Sequence, residues 1–477
     1  MADGQRSYDA VIVGSGPNGL VAGIMLARAG RTVLLLEAAD TPGGGCRSAR
    51  FTLPGFVHDI CSAVHPMAAL SPAFREIGLE QLGVKYVSPE IAMAHPLADG
   101  QAALLYKSID KTCAELGAEG AAWAKLMRPF ANREFIESLL EPMWFSARRP
   151  WSKFRFGLTG LRSCESLVRS RFAGAKARAL FGGCAAHSIL ALGRPGTASF
   201  GLVLALSAHV VGWPVVQGGS QEITNALVRH FTECGGVLEL GRRVTALDQL
   251  PPTKAILFDL NPQQIASICG ETLPASYRAR LTRFKRGPGI FKVDWALEGA
   301  IPWKNPECAR AGTLHIGGTY EEIAHAEAQV ARGIATEKPF VLLAQQSVFD
   351  STRSPAGKHT GWAYCHVPNS CTEDMTARIE AQVERFAPGF RDRILARHTI
   401  SPAQLETHNA AMIGGDISGG ANSLWQFLFR PTPRWNPYTT PNPRIFICSS
   451  STPPGGGVHG MCGYLAATTV LGTKIRA

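Results

Sequence analysis

The sequence predicts an α/β fold built around a parallel sheet, and three observations predict it. An apolar run near the N-terminus, Tyr8 to Val13, leads into a glycine-rich turn and a helical pattern. A similar succession of strand, loop and helix begins at Arg444, near the other end of the chain. Between them lies a long block that mixes apparent strands and helices. We therefore expect a nucleotide-binding type of α/β domain joined to a second, α+β region.

The first element is a unit of strand, turn, helix and strand. Tyr8 to Val13 is rich in β-forming residues, and LVAGIMLARAG after the turn has the small-residue pattern of a packed helix. Thr32 to Leu36 is again continuously apolar, which is typical of a strand buried on both faces of a parallel sheet. The unit closes on Glu37 and has the organisation of a Rossmann-type βαβ unit.

The turn of this unit carries a GxGxxG pattern in the required structural context. Gly14 permits the tight turn, Gly16 lets backbone amides approach a pyrophosphate, and Gly19 allows close packing of helix on strand. Free N–H groups and the helix dipole favour phosphate at the helix start. Glu37 stands where a carboxylate accepts hydrogen bonds from a ribose diol. Because NADP carries a phosphate in place of the free 2′-hydroxyl, a carboxylate at this position disfavours NADP. A tight turn without any ligand is the alternative interpretation.

A second glycine loop favours FAD over NAD as the dinucleotide. The segment GGGCRS, residues 43–48, follows Glu37 closely. Its glycines can bring backbone near an extended dinucleotide, and Arg47 would lie near anionic groups. The sequence contains no second strand-linked GxGxxG, so a separate nicotinamide-binding domain is not expected.

The remaining elements follow from hydrophobic periodicity and from glycine and proline breaks. Residues 71–200 are predicted to be mostly helical. Further helices are predicted over 222–235, 376–386 and 458–471, and further strands over 237–247, 255–260, 290–297, 340–345, 361–366 and 444–448. The predicted FAD-binding domain comprises residues 1–70, 205–250 and 410–477, and the predicted substrate domain comprises residues 71–204 and 251–409.

Composition excludes several classes of protein. The chain has 477 residues, of which 45% are hydrophobic and 18% charged, as expected of an ordered globular protein. Its twelve cysteines show no CxxC or metal-ligand spacing, so we expect no metal, no disulfide-reductase chemistry and a reducing, cytoplasmic setting. The formal charge of +11 is accompanied by no nucleic-acid motif, and no nucleic-acid partner is expected.

Two segments bear on hydrophobic partners. Residues 200–216 are apolar but too interrupted for a membrane span of roughly 20 residues, so a buried helix is expected. Between Arg148 and Arg178, basic residues alternate with aromatic ones, including Trp144, Trp151 and Phe154. This stretch fits either a solvated helical face or a peripheral contact with a membrane surface, and both interpretations remain open.

Three motifs together carry a resemblance. VIVGSGPNGLVAGIMLARAG with LLLEA and PGGGCRS, the central GGSQEITNAL with CGG and RVTAL, and the terminal STPPGGGVHGMCGYLAA resemble the phytoene desaturase-like FAD oxidoreductases. That group is the carotenoid and retinoid branch of the amine oxidase superfamily. The chain departs from the pattern of this family at Ser449, Ser450 and Pro453. It also departs at Cys61, a position where small residues are usual in the wider superfamily.

The resemblance implies a set of cofactor-binding residues. Gly14, Gly16 and Gly19 would hold the pyrophosphate, Glu37 the ribose, Val244 the adenine through its backbone, and Gly456 to Val458 the isoalloxazine. A helix beginning near Val458 would stabilise negative charge on reduced flavin. The full predicted FAD site is Gly14, Ser15, Gly16, Pro17, Asn18, Gly19, Glu37, Ala38, Gly44, Gly45, Cys46, Arg47, Val244, Ser450, Gly456, Gly457 and Val458.

Few catalytic side chains are expected, because in such enzymes the flavin takes the hydride. His459 and Tyr464 stand on the helix predicted to point at the flavin, and either can orient the ring or shuttle a proton. His65, in SAVHP, is predicted to face the substrate channel. Each also has a structural alternative: a hydrogen bond at the helix start for His459, and a packed turn before Pro66 for His65.

The sequence thus predicts an FAD-dependent oxidoreductase that acts on a hydrophobic small molecule. Dehydrogenation, saturation or isomerisation of carbon–carbon bonds in an isoprenoid compound would fit, with oxygen or a quinone as electron acceptor. Amine oxidation is the alternative reaction, and Trp425, Phe427, Phe429 and Trp435 are candidates for the aromatic cage that it needs. A non-enzymatic, FAD-stabilised interaction protein is the alternative class.

Overall fold

A computed structural model describes residues 7–141 and 149–472. Its strands are β1 Tyr8–Val13, β2 Val33–Leu36, β3 Ser48–Ala49, β4 His58–Asp59, β5 Tyr86–Val87, β6 Ile91–Pro96, β7 Ala102–Tyr106, β8 Val215–Val216, β9 Val237–Glu239, β10 Thr253–Phe258, β11 Gly289–Leu297, β12 Ala311–Ile316, β13 Val341–Ala344, β14 His359–Val367, β15 Ile394–Ile400 and β16 Ile445–Ile447. Its helices are α1 Pro17–Arg28, α2 Pro66–Ala69, α3 Pro72–Ile77, α4 Ile109–Leu116, α5 Gly120–Met127, α6 Arg133–Leu139, α7 Pro150–Gly160, α8 Cys164–Arg171, α9 Ala175–Ala186, α10 Thr197–Val211, α11 Gln221–Glu233, α12 Pro262–Cys269, α13 Ala275–Thr282, α14 Tyr320–Ala331, α15 Thr376–Phe386, α16 Pro402–His408, α17 Leu424–Phe429 and α18 Met461–Gly472.

A five-stranded parallel sheet organises the dinucleotide-binding part of the molecule. Its strand order is β16-β10-β1-β2-β9, and β1 pairs in parallel with both β2 and β10. All four residues of β2 are buried, as the continuous apolar run predicts. The predicted α/β fold with a Rossmann-type unit is confirmed. Strand β10 belongs to this sheet although it lies beyond the predicted domain boundary at residue 250.

A seven-stranded mixed sheet forms the second part, in the order β15-β11-β14-β13-β12-β6-β7. Its pairs are antiparallel except for β12 with β6. Strands β5 to β7 lie within residues 71–200, where mostly helix was predicted, so that prediction is wrong for this stretch. The β6 sequence, IAMAHP, is buried at every position and therefore shows no alternation of apolar and polar residues.

The two ends of the chain meet on helix α1. A Cβ atom on Gly463 of α18 would stand 1.8 Å from the carbonyl oxygen of Asn18 in α1, so these helices touch backbone to backbone. Helix α11 packs on the same helix, where Phe231 contacts Gly23. Because α1 and α18 follow the two glycine loops, their contact brings both loops to the same edge of the parallel sheet.

Helices α4 to α10 form a layer over the second sheet, and one large core holds them together. Residues 200–216 fall mainly in the largely buried helix α10, as predicted. Within the described residues, no helix has the length and apolar character needed to cross a membrane.

Two predicted boundaries are wrong. The strand predicted over 237–247 ends at Glu239. The last helix begins at Met461 rather than near Val458, because Gly457 and Gly460 adopt positive φ angles of 128° and 65° that an α-helix cannot contain.

Candidate functional site

One cavity of about 950 Å³ connects the two parts of the molecule. Its wall runs from the glycine turn after β1, past the loop before α18, to α10 and the second sheet. That volume lies at the upper end of the roughly 300–1,000 Å³ typical of small-molecule sites. Most of the predicted FAD-binding residues line it: Gly14, Ser15, Gly16, Pro17, Asn18, Glu37, Ala38, Gly44, Gly45, Arg47, Val244, Ser450, Gly456, Gly457 and Val458.

The glycine turn has the geometry of a phosphate cradle. Gly14 has a φ of 104°, which favours glycine. A Cβ on Gly19 would stand 2.0 Å from the Gly14 carbonyl oxygen, so Gly19 serves packing and does not line the cavity. Helix α1 has no side-chain cap at Gly16 and begins with Pro17. Because Pro17 has no N–H and the Gly19 N–H donates to Asp259, the Asn18 N–H is the group that this helix start offers to an anion.

Asp259, at the carboxyl end of β10, is a site residue that the sequence did not reveal. Its Oδ2 accepts a hydrogen bond of 3.0 Å from the Gly19 backbone N–H, and it lines the cavity beside Gly16. Burial raises the pKa of this carboxyl from 3.8 to about 7. A carboxyl held in its neutral form can lie beside a phosphate without repelling it.

Glu37 stands at the end of β2 with its carboxylate fixed by neighbouring loops. Oε2 accepts from the Ser15 N–H at 2.9 Å and from the Ser15 hydroxyl at 2.6 Å, and Oε1 accepts from the Ala39 N–H at 2.9 Å. The side chain is partly exposed to the cavity. Because carboxylate oxygens carry further lone pairs, Glu37 can still accept a ribose hydroxyl.

Arg47 supplies a buried cation to the cavity wall. Its guanidinium donates to the carbonyl oxygens of Gly44 and His408, each at 2.9 Å, and to the Thr41 hydroxyl at 3.3 Å. Arg47 is 5% exposed, and no carboxylate forms an ion pair with it within the described residues. A buried cation held by neutral acceptors fits an anionic group of the bound ligand. Cys46 beside it turns into the core, where its thiol donates to Ser220.

The loop before α18 forms the opposite wall. Gly456 lies so close to Ser418 that a Cβ would stand 2.8 Å from the Ser418 carbonyl oxygen. Arg430 is 1% exposed and donates to the carbonyl oxygens of Ser450 and Gly420, which ties the two loops together. Arg430 therefore holds the cavity wall in place.

His459 has both a structural bond and a free ring nitrogen. Its Nδ1 accepts a hydrogen bond of 3.0 Å from the Met461 N–H, at the start of α18. Burial lowers the pKa of the imidazole to about 4, so the ring is neutral and Nε2 carries the proton. That Nε2 is buried and has no partner within the described residues. His459 lines the cavity and can therefore donate a hydrogen bond to a ligand.

The other two predicted catalytic residues differ in position. His65 lines the cavity, and its Nε2 shares a hydrogen bond of 2.9 Å with the Ser220 hydroxyl. Tyr464 is not among the cavity-lining residues, and its hydroxyl donates to Glu76 at 2.8 Å. The interpretation of Tyr464 as a proton shuttle at the flavin is therefore corrected. Tyr464 lies one helical turn into α18, on the side that faces Glu76 of α3.

The floor of the cavity is one face of the second sheet. Thr313, Leu342, Trp362 and Tyr364 line it from three adjacent strands. Lys292, which is opposite Tyr364 on β11, is fully buried and forms an ion pair with Asp294. Lys292 and Asp294 are two residues apart on one strand, so their side chains share a face of the sheet.

Comparison with known proteins agrees with this geometry. Residues 12–77 match the NAD(P)-binding Rossmann-like domain. The parallel sheet and its glycine turn are those of a Rossmann-like dinucleotide-binding domain, and the proteins that the chain resembles over most of its length include oxidoreductases. Pyridine nucleotide-disulfide oxidoreductase domain-containing protein 2 of Mus musculus is 25% identical over 97% of this chain and 93% of its own length. The lycopene-forming phytoene desaturase of a Paracoccus species is 22% identical over 96% of each chain.

Solved structures show the same architecture. An oxidoreductase from Methanosarcina mazei superimposes with a TM-score of 0.67 at 14% identity, over 98% of this chain and 100% of that chain. Putrescine oxidase bound to putrescine superimposes with a TM-score of 0.61 at 16% identity, over 99% of this chain and 100% of that one. At these identities the likeness concerns the fold.

Proposed function

We propose that this protein binds FAD and uses it to oxidise, saturate or isomerise a hydrophobic small molecule. The observation that carries the proposal is the continuous cavity, which begins at a phosphate-type glycine turn and ends in an apolar chamber. When bound, FAD would supply hydride transfer at its isoalloxazine ring.

The cavity wall offers a group suited to each part of FAD. The open start of α1 and the Arg47 guanidinium would bind the pyrophosphate, and the Glu37 carboxylate would bind the ribose. The loop of Gly456 to Val458 would lie along the ring system, with the unpartnered His459 Nε2–H beside it. These roles require only groups that already face the cavity.

An apolar substrate fits the other end of the cavity. Side chains of the helical layer and of α17 supply its wall: Phe156, Phe200, Val203, Leu204, Leu424 and Leu428. The phytoene desaturase branch, whose named member in Paracoccus is lycopene-forming, suggests an isoprenoid compound. We accordingly favour carbon–carbon bond chemistry.

Amine oxidation is less well supported, although an amine oxidase shares the fold. Its predicted aromatic cage does not form: Trp425 is 70% exposed and Trp435 is 79% exposed. Of the four candidate residues, only Phe427 lines the cavity. A primary amine would therefore not meet the predicted cage, and the paired aromatic rings that line the cavity are instead Trp362 and Tyr364 on its floor.

Anaerobic reduction tests the reaction class. The purified protein is mixed with apolar isoprenoid compounds, a hydrocarbon and a ketone in turn, or, separately, with putrescine, and the blue absorbance band of its flavin is followed. We expect bleaching by an isoprenoid compound only, and reoxidation by oxygen or a quinone. Bleaching by putrescine alone would favour amine oxidation, and a flavin that no compound reduces would indicate the interaction protein.

We further propose that the substrate reaches the cavity from a membrane surface along α7. Lys153 and Phe156 of this helix line the cavity, whereas Trp151 and Phe154 are 78% and 58% exposed. Exposed aromatic residues beside basic ones are typical of interfacial helices. Two residues of the predicted basic and aromatic stretch, Trp144 and Arg148, lie outside the described residues.

Liposome flotation tests this surface. Anionic vesicles should carry the wild-type protein upward at low salt and less of it at high salt, because lipid attraction is screened. Trp151→Ser with Phe154→Ser should reduce the bound fraction several-fold, whereas Leu395→Ser, at a residue 44% exposed on β15, should not. Equal flotation of all three proteins would contradict the proposal.

A further inference from the structure

Two buried histidines lie at the apolar end of the cavity, away from the residues assigned above. His187, directly after α9, lines the cavity. Its Nε2 is 3.0 Å from Nε2 of His315 on β12, and the ring centroids are 5.0 Å apart. Trp213 packs edge-on against His187 at 5.8 Å. The pair is thus held in a fixed position at this wall.

Both rings are neutral. Burial lowers the pKa of His187 to about 3, and burial together with the neighbouring His187 lowers that of His315 well below its ordinary value. In a hydrogen bond between two neutral imidazoles, one Nε2 donates and the other accepts. The direction of this bond decides which hydrogen-bonding group His187 offers to the cavity.

Packing around His315 assigns the direction. Its Nδ1 is buried and has no hydrogen-bond partner within the described residues. A Cβ on Gly183 would stand 2.6 Å from this atom, so a Cα hydrogen of Gly183 points at it. If Nδ1 of His315 is unprotonated, its lone pair tolerates the Cα hydrogen of Gly183. If Nδ1 carried a proton, that proton would clash with the Cα hydrogen, and the N–H would be a buried donor without an acceptor. His315 therefore carries its proton on Nε2.

The tautomer of His187 follows. Because His315 Nε2–H donates, His187 Nε2 must accept, and the His187 proton lies on Nδ1. The ring makes no other hydrogen bond within the described residues, and His187 is partly exposed to the cavity. Its Nδ1–H is thus a fixed donor without a protein acceptor. Thr313, two residues before His315 on the same face of β12, also lines the cavity, and its hydroxyl has no hydrogen-bond partner among the residues that the structure describes.

We propose that the His187–His315 pair recognises a carbonyl oxygen on an otherwise apolar substrate, an inference that rests on the proposed function. A carbonyl oxygen has two lone pairs and no proton, so it suits the His187 Nδ1–H and a second donor such as the Thr313 hydroxyl. A pure hydrocarbon would leave the His187 donor unpaired in an apolar wall, which costs free energy. The substrate class is therefore narrowed to apolar ketones, aldehydes and related carbonyl compounds.

The tautomers can be observed directly in the wild-type protein. Two-bond ¹H–¹⁵N correlation spectra of protein labelled with ¹⁵N-histidine distinguish protonated from bare ring nitrogens. His187→Gln and His315→Gln assign the signals. We expect a proton on Nδ1 of His187 and on Nε2 of His315. A proton on Nε2 of His187 would overturn the proposal, whatever ligands bind.

Recognition is tested with two probes that share one skeleton, the ketone menthone and the hydrocarbon p-menthane, by titration calorimetry. His187→Phe should lower the ratio of their affinities, ketone over hydrocarbon, about tenfold relative to wild type, which corresponds to one hydrogen bond. His209→Phe is the matched control, since it removes a buried histidine that bonds Trp123 away from the cavity wall. It should leave the ratio unchanged.

An unchanged ratio in His187→Phe, or a wild-type protein that binds no ketone, would overturn the proposal. Both readouts are independent of flavin reduction. A protein without FAD would therefore refute the proposed function while the spectra and the affinity ratio still decide the role of the histidine pair.

Discussion

Asp259 is the residue whose ionisation matters most at the phosphate end of the cavity. The unfolded chain releases this proton near pH 3.8 and the folded chain near pH 7, so the folded state holds more protons between these values. Stability must then fall as the pH rises through this window. The same ionisation would place a negative charge beside the phosphates of the cofactor, so FAD should bind more weakly above neutral pH.

Asp259→Asn tests this effect, because the amide stays neutral. Between about pH 5 and about pH 8, the wild type should lose roughly 2 kcal/mol of unfolding free energy relative to the variant in urea titrations. The variant should also retain FAD better at about pH 8. Asp248→Asn, at an exposed carboxylate, should follow the wild type, and parallel curves for all three proteins would refute the role of Asp259.

His459 joins a structural and a chemical role in one ring. Its Nδ1 accepts from the start of α18, and its Nε2–H is free. His459→Ala should cost about 1 kcal/mol in thermal or urea unfolding, because the helix start loses its acceptor. His459→Asn should restore that stability through its side-chain oxygen.

The rate of flavin reduction separates the two roles of His459. We expect about 100-fold slower reduction in His459→Asn than in wild type, since the amide cannot reproduce the position of Nε2–H. An Asn variant as fast as wild type would leave His459 only its structural role.

At the scale of elements, a buried ion network joins the glycine loops to the second sheet. Arg353 donates to Asp59 at 3.0 Å and to Asp350 at 2.9 Å, and both carboxylates are fully buried. Asp59 also accepts from the N–H of Ser220, next to α11, and Asp350 accepts from the N–H of Gly218. These bonds connect β4, the start of α11 and the loop before β14 below the cavity.

Arg353→Met would leave two buried carboxylates without their cation. We expect a loss of about 3–5 kcal/mol in unfolding free energy. Arg310→Met provides the comparison, because Arg310 forms exposed pairs with Glu90 and Glu307, and its loss should change the free energy of unfolding far less. Similar losses in both variants would show that the buried network does not join the two parts.

At the scale of the whole molecule, the sequence predicts best what depends on local spacing. The strand, glycine turn and helix of residues 8–28 are predicted from residues that are close together in the sequence. The position of Glu37 at the end of the next strand is predicted in the same way. Asp259 could not be found in this way, because its partner Gly19 lies 240 positions away. The His187–His315 pair spans 128 positions and carries no motif.

The wrong predictions have physical causes of the same kind. Strand β6 has alanine, methionine and proline in place of β-branched residues and is buried on both faces, so neither propensity nor alternation marks it. The last helix starts late because of backbone angles at Gly457 and Gly460. His459 therefore stands in the loop before the helix, where it lines the cavity and accepts from the Met461 N–H.

The identity of the chromophore tests the central claim most directly: that the two ends of the chain grip one flavin dinucleotide. The purified protein is denatured in acid, and the released compound is identified by chromatography and quantified against the chain. The account predicts FAD, close to one molecule per chain, either as purified or after incubation with FAD. A colourless protein that takes up no FAD would contradict it.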